Sequence, residues 1–409
     1  MNSRLLLRRL CASLLLGAVP FAAVAGPNDD CLKCHADPAA KAAAGKSGPI
    51  DAAKFTASVH GGRRGQCVEC HEDAATEDGK EHAPKLKPVD CASCHDDAVG
   101  EYAKTVHGVA RAGGNPVAAT CGDCHGSPHA VLRASNPQSP TNTANIEATC
   151  GGCHGNDKLV EQAHLPGGNI QAKYHDSIHG RMMHEGGSYN AAVPTCTSCH
   201  GTHAILGKKD PASRVSQQHV PDTCGECHQR EHVVYDQGKH GTLQHAGDKT
   251  APVCSDCHSA HSIKRASASD WKVAVVGQCG NCHDDYVQSY HQTYHGKVTN
   301  LGFADIATCA SCHGAHDIRP ASDPRSTVAG ANLLQTCRQC HKQASAQFAS
   351  WDPHPRPTDR SRDPVLYWAN FGMNALLIGV FVFFGLHTVL WAYRSITGAL
   401  RRRRDGTNR

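Results

Sequence analysis

Cysteine and histidine dominate the chemistry that this sequence could perform. The 409-residue chain holds 23 cysteines and 30 histidines but only 8 Phe, 4 Trp and 4 Met. Apart from Cys11, every cysteine lies in a C-x-x-C-H motif, of which there are eleven. Their first cysteines are Cys31, Cys67, Cys91, Cys121, Cys150, Cys196, Cys224, Cys254, Cys279, Cys309 and Cys337. Their second cysteines are Cys34, Cys70, Cys94, Cys124, Cys153, Cys199, Cys227, Cys257, Cys282, Cys312 and Cys340. Their histidines are His35, His71, His95, His125, His154, His200, His228, His258, His283, His313 and His341.

C-x-x-C-H is the attachment signature of c-type haem, in which both thiols form thioethers and the histidine is the proximal iron ligand. Disulfides, common in exported cysteine-rich chains, do not explain the constant spacing. Zinc sites built from paired C-x-x-C units do not explain a histidine after every second cysteine. We therefore predict eleven covalently bound haems c. Because apolar side chains are scarce, we expect the haems to form the core and the chain to wrap them in loops and short helices.

Five of the motifs follow a repeated pattern, which consists of an aromatic residue, four further residues and then His-Gly. The aromatic residues are Phe55, Tyr102, Tyr174, Tyr235 and Tyr290. We call the C-x-x-C-H that follows each pattern a repeated motif; these begin at Cys67, Cys121, Cys196, Cys254 and Cys309. Plain motifs, without the pattern, begin at Cys31, Cys91, Cys150, Cys224 and Cys279, and the eleventh begins at Cys337. This periodicity predicts a repeat array of five haem pairs plus one haem.

A haem iron with one histidine ligand has a sixth position. A second histidine there gives an electron-transfer centre, whereas an open position admits small molecules. The sequence offers eleven distal candidates: His60, His107, His179, His240 and His295 in His-Gly pairs, His82, His129, His203, His261 and His316 after repeated motifs, and His354. A histidine three residues beyond a C-x-x-C-H is not expected to reach the far face of its own haem, so we expect ligation between neighbouring copies.

The remaining conspicuous side chains receive structural interpretations. The repeated aromatic residue is expected to pack on a porphyrin face rather than to act as a redox-active tyrosine. Met182 and Met183 are expected to pack in a loop rather than to bind iron. The histidines outside the pattern are interpreted as surface residues; they are His164, His175, His184, His219, His232, His245 and His291.

On these motifs, from about Cys31 to His354, the chain resembles the multihaem c-type cytochromes with doubled CXXCH motifs, the cytochrome c3-like group of anaerobic respiration. The resemblance implies a mostly irregular or short α-helical fold and a role in electron transfer. Members of the group include periplasmic decahaem conduits and quinol-linked, membrane-anchored cytochromes. This chain departs from the conduits by its eleventh haem motif and its membrane segment. It departs from the small quinol-oxidising cytochromes because its anchor is C-terminal.

Both ends of the sequence carry membrane signals. Residues 1–25 combine a basic start, an apolar run and Ala23-Val24-Ala25, which is typical of a cleaved secretory signal that includes Cys11. Residues 365–393 are uncharged and long enough for a transmembrane helix. The tail at 394–409 is arginine-rich, which predicts a cytoplasmic C-terminus. We therefore predict a single-pass protein of the bacterial inner membrane, with a periplasmic multihaem domain at 26–356.

These features predict an electron relay between a membrane quinone-linked or cytochrome b-like subunit and periplasmic redox proteins. Its formal charge of +4 comes from the signal and tail, so the exported part is acidic, and nucleic acid is not an expected partner. His387 in the membrane segment has two open interpretations: ligand of a shared b-type haem or part of a quinone site, or a hydrogen bond to a neighbouring helix. The alternative function is a multihaem reductase of nitrite, hydroxylamine or a sulfur oxyanion, which needs one open-site haem.

Overall fold

The computed structural model describes residues 28–37, 49–61, 66–74, 82, 86–185 and 189–406, which form helices joined by turns and loops. No β-strand occurs among these residues, so the expected class of short helices and irregular segments is confirmed. The predicted secretory signal at residues 1–25, with Cys11, lies outside the described residues.

Most of the helices are short, and long loops join them. In chain order they are α1 Asp29–His35, α2 Ala52–Ala57, α3 Cys67–Cys70, α4 Ala92–Ala103, α5 Val106–Ala112, α6 Cys121–His125, α7 Ile146–His154, α8 Asp157–Gln162, α9 Ile170–His175, α10 Ile178–His184, α11 Cys196–His200, α12 Val220–Gly225, α13 Gln229–Asp236, α14 Lys239–His245, α15 Cys254–His258, α16 Ser269–Gly280, α17 Asp284–Gln292, α18 Tyr294–Asn300, α19 Cys309–His313, α20 Gly330–Arg338, α21 Ala346–Ala349 and α22 Pro364–Gly406. Three 3-10 helices cover Glu72–Ala74, Pro128–Ala130 and Thr143–Asn145.

Each repeated motif forms its own single-turn helix, which begins at the first cysteine. The start of this helix is capped as in a capping box. The second variable residue of the motif accepts a hydrogen bond from the backbone N–H of the residue before the first cysteine. In α6 the Thr120 N–H donates to Asp123 Oδ2 over 2.7 Å, and in α11 the Thr195 N–H donates to Ser198 Oγ over 3.0 Å. This closure fixes the direction of the helix that carries the two thiols.

The residue after most repeated motifs adopts a backbone conformation that favours glycine. Gly126, Gly201 and Gly314 have φ of +80° to +81° with extended ψ. This region of the backbone map is essentially restricted to glycine, because other residues are strained there by about 1–3 kcal/mol. Ser259 occupies the equivalent position after α15 with φ of 61°.

Each repeat also contains a turn at its His-Gly pair. The glycine packs against the backbone of the repeated aromatic residue, which lies five positions before the histidine of the same His-Gly pair. A Cβ in place of this glycine would lie 1.8–2.3 Å from the aromatic residue's carbonyl oxygen in all five copies, which are Gly61, Gly108, Gly180, Gly241 and Gly296. The glycine is therefore required by close approach, and it determines where the preceding histidine lies.

A backbone hydrogen bond joins each copy of the repeat to the next. The donor is always the N–H of the residue before the His-Gly histidine. The acceptor belongs to the next copy, where a histidine follows the repeated motif, and it is the carbonyl two residues beyond that histidine. The four bonds are Val59 N–H to Val131 O (2.8 Å), Val106 N–H to Ile205 O (3.1 Å), Ile178 N–H to Ile263 O (2.7 Å) and Lys239 N–H to Ile318 O (2.7 Å). A constant bond at a constant register is what a repeat array requires, since each unit contacts its neighbours in the chain.

The chain divides into two compact units, one comprising Met1–Gly100 and Ala119–Asn145 and the other Glu101–Ala118 and Ile146–Arg409. Few apolar side chains are buried among the described residues. A small cluster in the second unit joins Val276, Val287 and Tyr290, and Met183 is fully buried elsewhere in that unit. The polypeptide by itself therefore has only a thin hydrophobic core.

The last helix, α22, differs in kind from the others. It is 43 residues long, its most apolar window has a mean hydropathy of 2.1, and none of that window is buried. Its length and composition are sufficient to cross a membrane, because the hydrocarbon core of a bilayer needs about 20 apolar residues. The helix continues past the apolar segment through Arg401–Arg404, and His387 lies exposed on its surface.

Candidate cofactor-binding sites

The thiols of successive motifs lie next to one another. The first cysteine of a plain motif lies close enough to the first cysteine of the repeated motif after it for one thiol to shift the pKa of the other. These neighbours are Cys31 and Cys67, Cys150 and Cys196, Cys224 and Cys254, and Cys279 and Cys309. Cys91 interacts electrostatically with Cys121 in the same relation. The five plain and five repeated motifs are thus grouped in pairs.

The pairs are also linked in chain order within each compact unit. The second cysteine of a repeated motif interacts electrostatically with the first cysteine of the next plain motif, as Cys70 does with Cys91. In the second unit the same relation holds between Cys199 and Cys224, between Cys257 and Cys279, and between Cys312 and Cys337. Seven C-x-x-C-H motifs therefore follow one another from Cys150 to Cys337.

Motif histidines face candidate distal histidines in ten ring pairs. The five His-Gly histidines each face a plain or eleventh motif: His60 with His95, His107 with His154, His179 with His228, His240 with His283, and His295 with His341. The others face an earlier motif: His82 with His35, His129 with His71, His261 with His200, His316 with His258, and His354 with His313. In each of the ten pairs, another candidate histidine lies nearer in sequence to the motif than the one that faces it.

The distance between the two rings is nearly constant, although the angle between them is not. Nine of the ten pairs have centroids 6.0–6.3 Å apart, with interplanar angles between 4° and 63°. Rings in direct contact change their separation with their angle. Two imidazoles on opposite sides of a metal ion keep centroids about 6.4 Å apart whatever their rotation, from two metal–nitrogen bonds of about 2.1 Å and about 1.1 Å from each nitrogen to its ring centre. The donor set and its spacing fit a metal held on the axis between the rings.

The rings of the tenth pair lie closer together, and His125 and His203 are not among the ten pairs. The rings of His35 and His82 lie 5.7 Å apart, with their Nε2 atoms separated by 3.5 Å. An ion on their axis needs nitrogens about 4.1 Å apart, so this pair must open by about half an ångström to hold one. His125 and His203, the remaining motif histidine and the remaining candidate, belong to different compact units, and each has interaction partners.

Burial lowers the pKa of eleven of the paired histidines below the usual value of about 6.5. These imidazoles are therefore neutral at pH 7, which leaves a ring nitrogen able to bind a metal. They are His107, His129, His154, His179, His200, His240, His258, His261, His295, His313 and His354.

Three of the repeated tyrosines tie the His-Gly turn to the helix of the repeated motif. The hydroxyl of each donates to the carbonyl two residues before the first cysteine: Tyr174 to Pro194 (2.7 Å), Tyr235 to Pro252 (3.0 Å) and Tyr290 to Ala307 (2.8 Å). Burial raises the pKa of all three phenols, so they remain protonated donors. One side chain thus connects the turn of a His-Gly histidine to the helix that carries two motif thiols.

Met183, one of the two methionines interpreted as packing residues, is fully buried, and its Sδ lies 3.9 Å from the Tyr174 hydroxyl. Met182 is exposed. Among the histidines outside the repeat pattern, His219 contacts the Ser213 carbonyl, and His245 contacts Asp236 over 2.9 Å.

Sequence reasoning missed one grouping of metal-binding side chains. His175 and His184, interpreted as surface residues, both contact Glu147, and these three residues are the one such group of three or more in the described part of the chain. A comparison of the copies position by position could have revealed it, because Glu147 is a carboxylate where three of the other four plain motifs carry an apolar residue, namely Pro88, Pro221 and Val276.

Comparisons with protein-family models, with curated proteins and with solved structures found no match for the chain. The functional interpretation therefore rests on the residues and the geometry described above.

Proposed function

We propose that the protein is a membrane-anchored multihaem c-type cytochrome that relays electrons. The observation that carries the proposal is the set of ten histidine pairs whose ring separation fits a metal ion on a common axis. Each pair includes the histidine of a C-x-x-C-H, whose two thiols lie in or beside the same helix. Two thiols, a proximal imidazole and an opposed imidazole are the donor set of a covalently attached haem with two histidine ligands.

Under this proposal, the chain's own residues do three things. The paired cysteines of each motif attach the cofactor covalently, and the motif histidine fixes its orientation. The opposed histidine from another copy closes the sixth position and excludes small molecules. When bound, each haem supplies one reversible one-electron redox centre. The protein adjusts the potential of that centre through its ligands, burial and hydrogen bonds.

The order of the attachment sites supports a relay rather than isolated centres. Thiols of successive motifs interact along the second compact unit from Cys150 to Cys337, so neighbouring cofactors would lie close together. The last site precedes α22, the helix that is apolar and long enough to cross a membrane. We propose that electrons are exchanged there with a quinone-linked or cytochrome b-like membrane subunit. At other sites they are exchanged with periplasmic redox proteins, whose basic patches suit an acidic domain.

The first test measures how many haems the full-length protein carries and which spin state they adopt. The protein is produced in a host that matures c-type cytochromes and is purified in detergent. We expect eleven covalent haems per chain by pyridine haemochrome assay, with low-spin ferric signals in low-temperature electron paramagnetic resonance. A protein that takes up no covalent haem would refute the proposal. A stoichiometric high-spin signal would refute a pure relay and favour the multihaem reductase.

A pair of variants tests the assigned ligand geometry. His261 faces His200 at 6.0 Å, so His261→Gln should convert one low-spin centre to high spin without loss of covalent haem. His245→Gln is the matched control, because His245 contacts Asp236 and is part of no motif pair. The assignment fails if His261→Gln keeps every centre low-spin, or if His245→Gln produces the same high-spin signal.

A further inference from the structure

A buried carboxylate lies at a position where two later copies of the repeat carry apolar side chains. Glu147 stands three residues before Cys150, in the first turn of α7, and is only 7% exposed. The equivalent residues before Cys224 and Cys279 are Pro221 and Val276, both of which are buried. An ionised carboxylate in such a position is costly unless opposite charge or strong hydrogen bonds offset its desolvation.

Two imidazoles converge on this carboxylate. His175 Nδ1 lies 3.1 Å from Glu147 Oε1, and His184 Nε2 lies 2.9 Å from Oε2. One ligand atom from each of the three residues lies within 4.8 Å of the others. Ligands around a tetrahedral metal at about 2.0–2.1 Å are themselves roughly 3.3 Å apart, so the three groups would move closer by at most about 1.5 Å to share an ion.

The fold brings these groups together from three helices of the same compact unit. Glu147 begins α7, His175 ends α9, and His184 ends α10. The side chains of the two histidines are 58% and 51% exposed, whereas that of Glu147 is 8% exposed. An ion could therefore arrive from solvent on the histidine side, and a water molecule could complete its coordination.

The other copies indicate that these three residues do not belong to the repeat itself. In the next copy the positions of His175 and His184 are held by Asp236 and His245, which contact each other over 2.9 Å. His175 and His184 are also absent from the ten pairs formed with motif histidines. The combination of two imidazoles and a carboxylate thus belongs to a single copy.

We propose that Glu147, His175 and His184 form a site for a divalent transition-metal ion of the Zn²⁺ type. Two imidazoles and one carboxylate are the ligand set of open, four-coordinate zinc sites, and imidazole nitrogen also suits Ni²⁺ and Cu²⁺. The ion neutralises the buried carboxylate and ties α7, which carries the Cys150 attachment motif, to α9 and α10. The site does not depend on the proposed electron relay, because none of its ligands belongs to a C-x-x-C-H or to one of the ten pairs that include a motif histidine.

The test is zinc binding by the full-length protein purified with its cofactors. After treatment with a chelator, the protein is titrated with Zn²⁺ in competition with a zinc-binding dye, and the zinc retained after desalting is measured by elemental mass spectrometry. We expect one tight site per chain and a zinc-dependent rise in the midpoint of thermal unfolding. Zinc is distinguished from haem iron by mass, so this readout is independent of the outcome for haem.

Three variants decide the result. Glu147→Gln and His184→Gln should each weaken zinc binding at the tight site by at least about 100-fold, since each removes a direct ligand. His245→Gln removes the matched histidine of the next copy and should bind zinc like the unaltered protein. Because His184 is half-exposed, His184→Gln decides the question if Glu147→Gln does not fold. Equal zinc affinity in the unaltered protein and in His184→Gln, or no tight site in either, would overturn the proposal.

Discussion

Replacing Gly241 with alanine sets two physical effects against each other. Gly241 lies in helix α14, where alanine is the better helix former by up to about 1 kcal/mol. Its added Cβ, however, would lie 2.3 Å from the Tyr235 carbonyl oxygen and 2.7 Å from Asp236 Cα, and both are backbone atoms. Contacts of this kind normally begin near 3.4 Å, so α14 must move by about 1 Å.

We expect the steric effect to prevail. Forcing a methyl group into a packed site costs about 1–3 kcal/mol, and contacts this short with backbone atoms belong to the upper part of that range. After subtraction of the gain in helix propensity, up to about 1 kcal/mol, a net loss of about 1–2 kcal/mol remains. The shift also moves His240, the residue before Gly241, whose ring lies 6.3 Å from that of His283. Under the proposed function, one low-spin centre should therefore change its electron paramagnetic resonance signal.

The assay is urea denaturation followed by circular dichroism, with Gly100→Ala as the matched control. Gly100 lies within helix α4, and a Cβ there would meet no atom within 4 Å. Gly100→Ala should raise the urea midpoint by the helix propensity alone, whereas Gly241→Ala should lower it. If both variants are stabilised, the close approach of the His-Gly turn to the aromatic residue's backbone does not exist, and the explanation of the motif is wrong.

Two further substitutions test the local geometry of the repeat. Ser259→Gly should raise the free energy of unfolding by roughly 0.5–2 kcal/mol, because Ser259 has a positive φ of 61° at the position where Gly201 and Gly314 adopt a positive φ of 80° without strain. An unchanged or lower urea midpoint would contradict this. Tyr235→Phe should lower the free energy of unfolding by about 1 kcal/mol, because it removes the hydrogen bond to the Pro252 carbonyl, whereas exposed Tyr189→Phe should change it by less than about 0.5 kcal/mol. Equal effects of the two tyrosine variants would show that the buried hydroxyl does not hold the loop.

The sequence predicted the helical class and the membrane-length helix, because each depends on local patterns. The sequence showed that the aromatic residue and the His-Gly pair have a constant spacing, but it did not show the reason for that spacing. That reason is a backbone contact, such as the one between Gly241 and Tyr235, and it exists only once the turn has folded. The expectation that the aromatic residue packs on a porphyrin remains a prediction. The structure adds the hydroxyl's hydrogen bond to the loop before the cysteines.

Which histidine rings face each other could not be predicted from the sequence, for a different reason. His261 follows the fourth repeated motif but faces His200 of the third, and His354 faces His313 rather than His341 of the eleventh motif. The facing rings come from different copies, and proximity in the chain does not show which copy supplies them. The group formed by Glu147, His175 and His184 was missed because each residue, taken alone, is unremarkable.

The ring pairs link neighbouring copies in both directions. The third copy, for example, receives His107 from the copy before it at His154 and His261 from the copy after it at His200. The first copy differs, because His82, which lacks the usual spacing, faces His35 of the same copy. At the other end, His341 and His354 face His295 and His313 of the fifth copy.

Under the proposed function, the eleventh motif and the segment around His354 complete the last paired motifs. His341 of the eleventh motif faces His295, and His354 faces His313, so five paired motifs alone would leave both rings without these partners. A further motif and a further histidine are therefore needed to oppose the rings of the fifth copy. In chain order both lie between the fifth copy and α22, the helix that is long and apolar enough to cross a membrane.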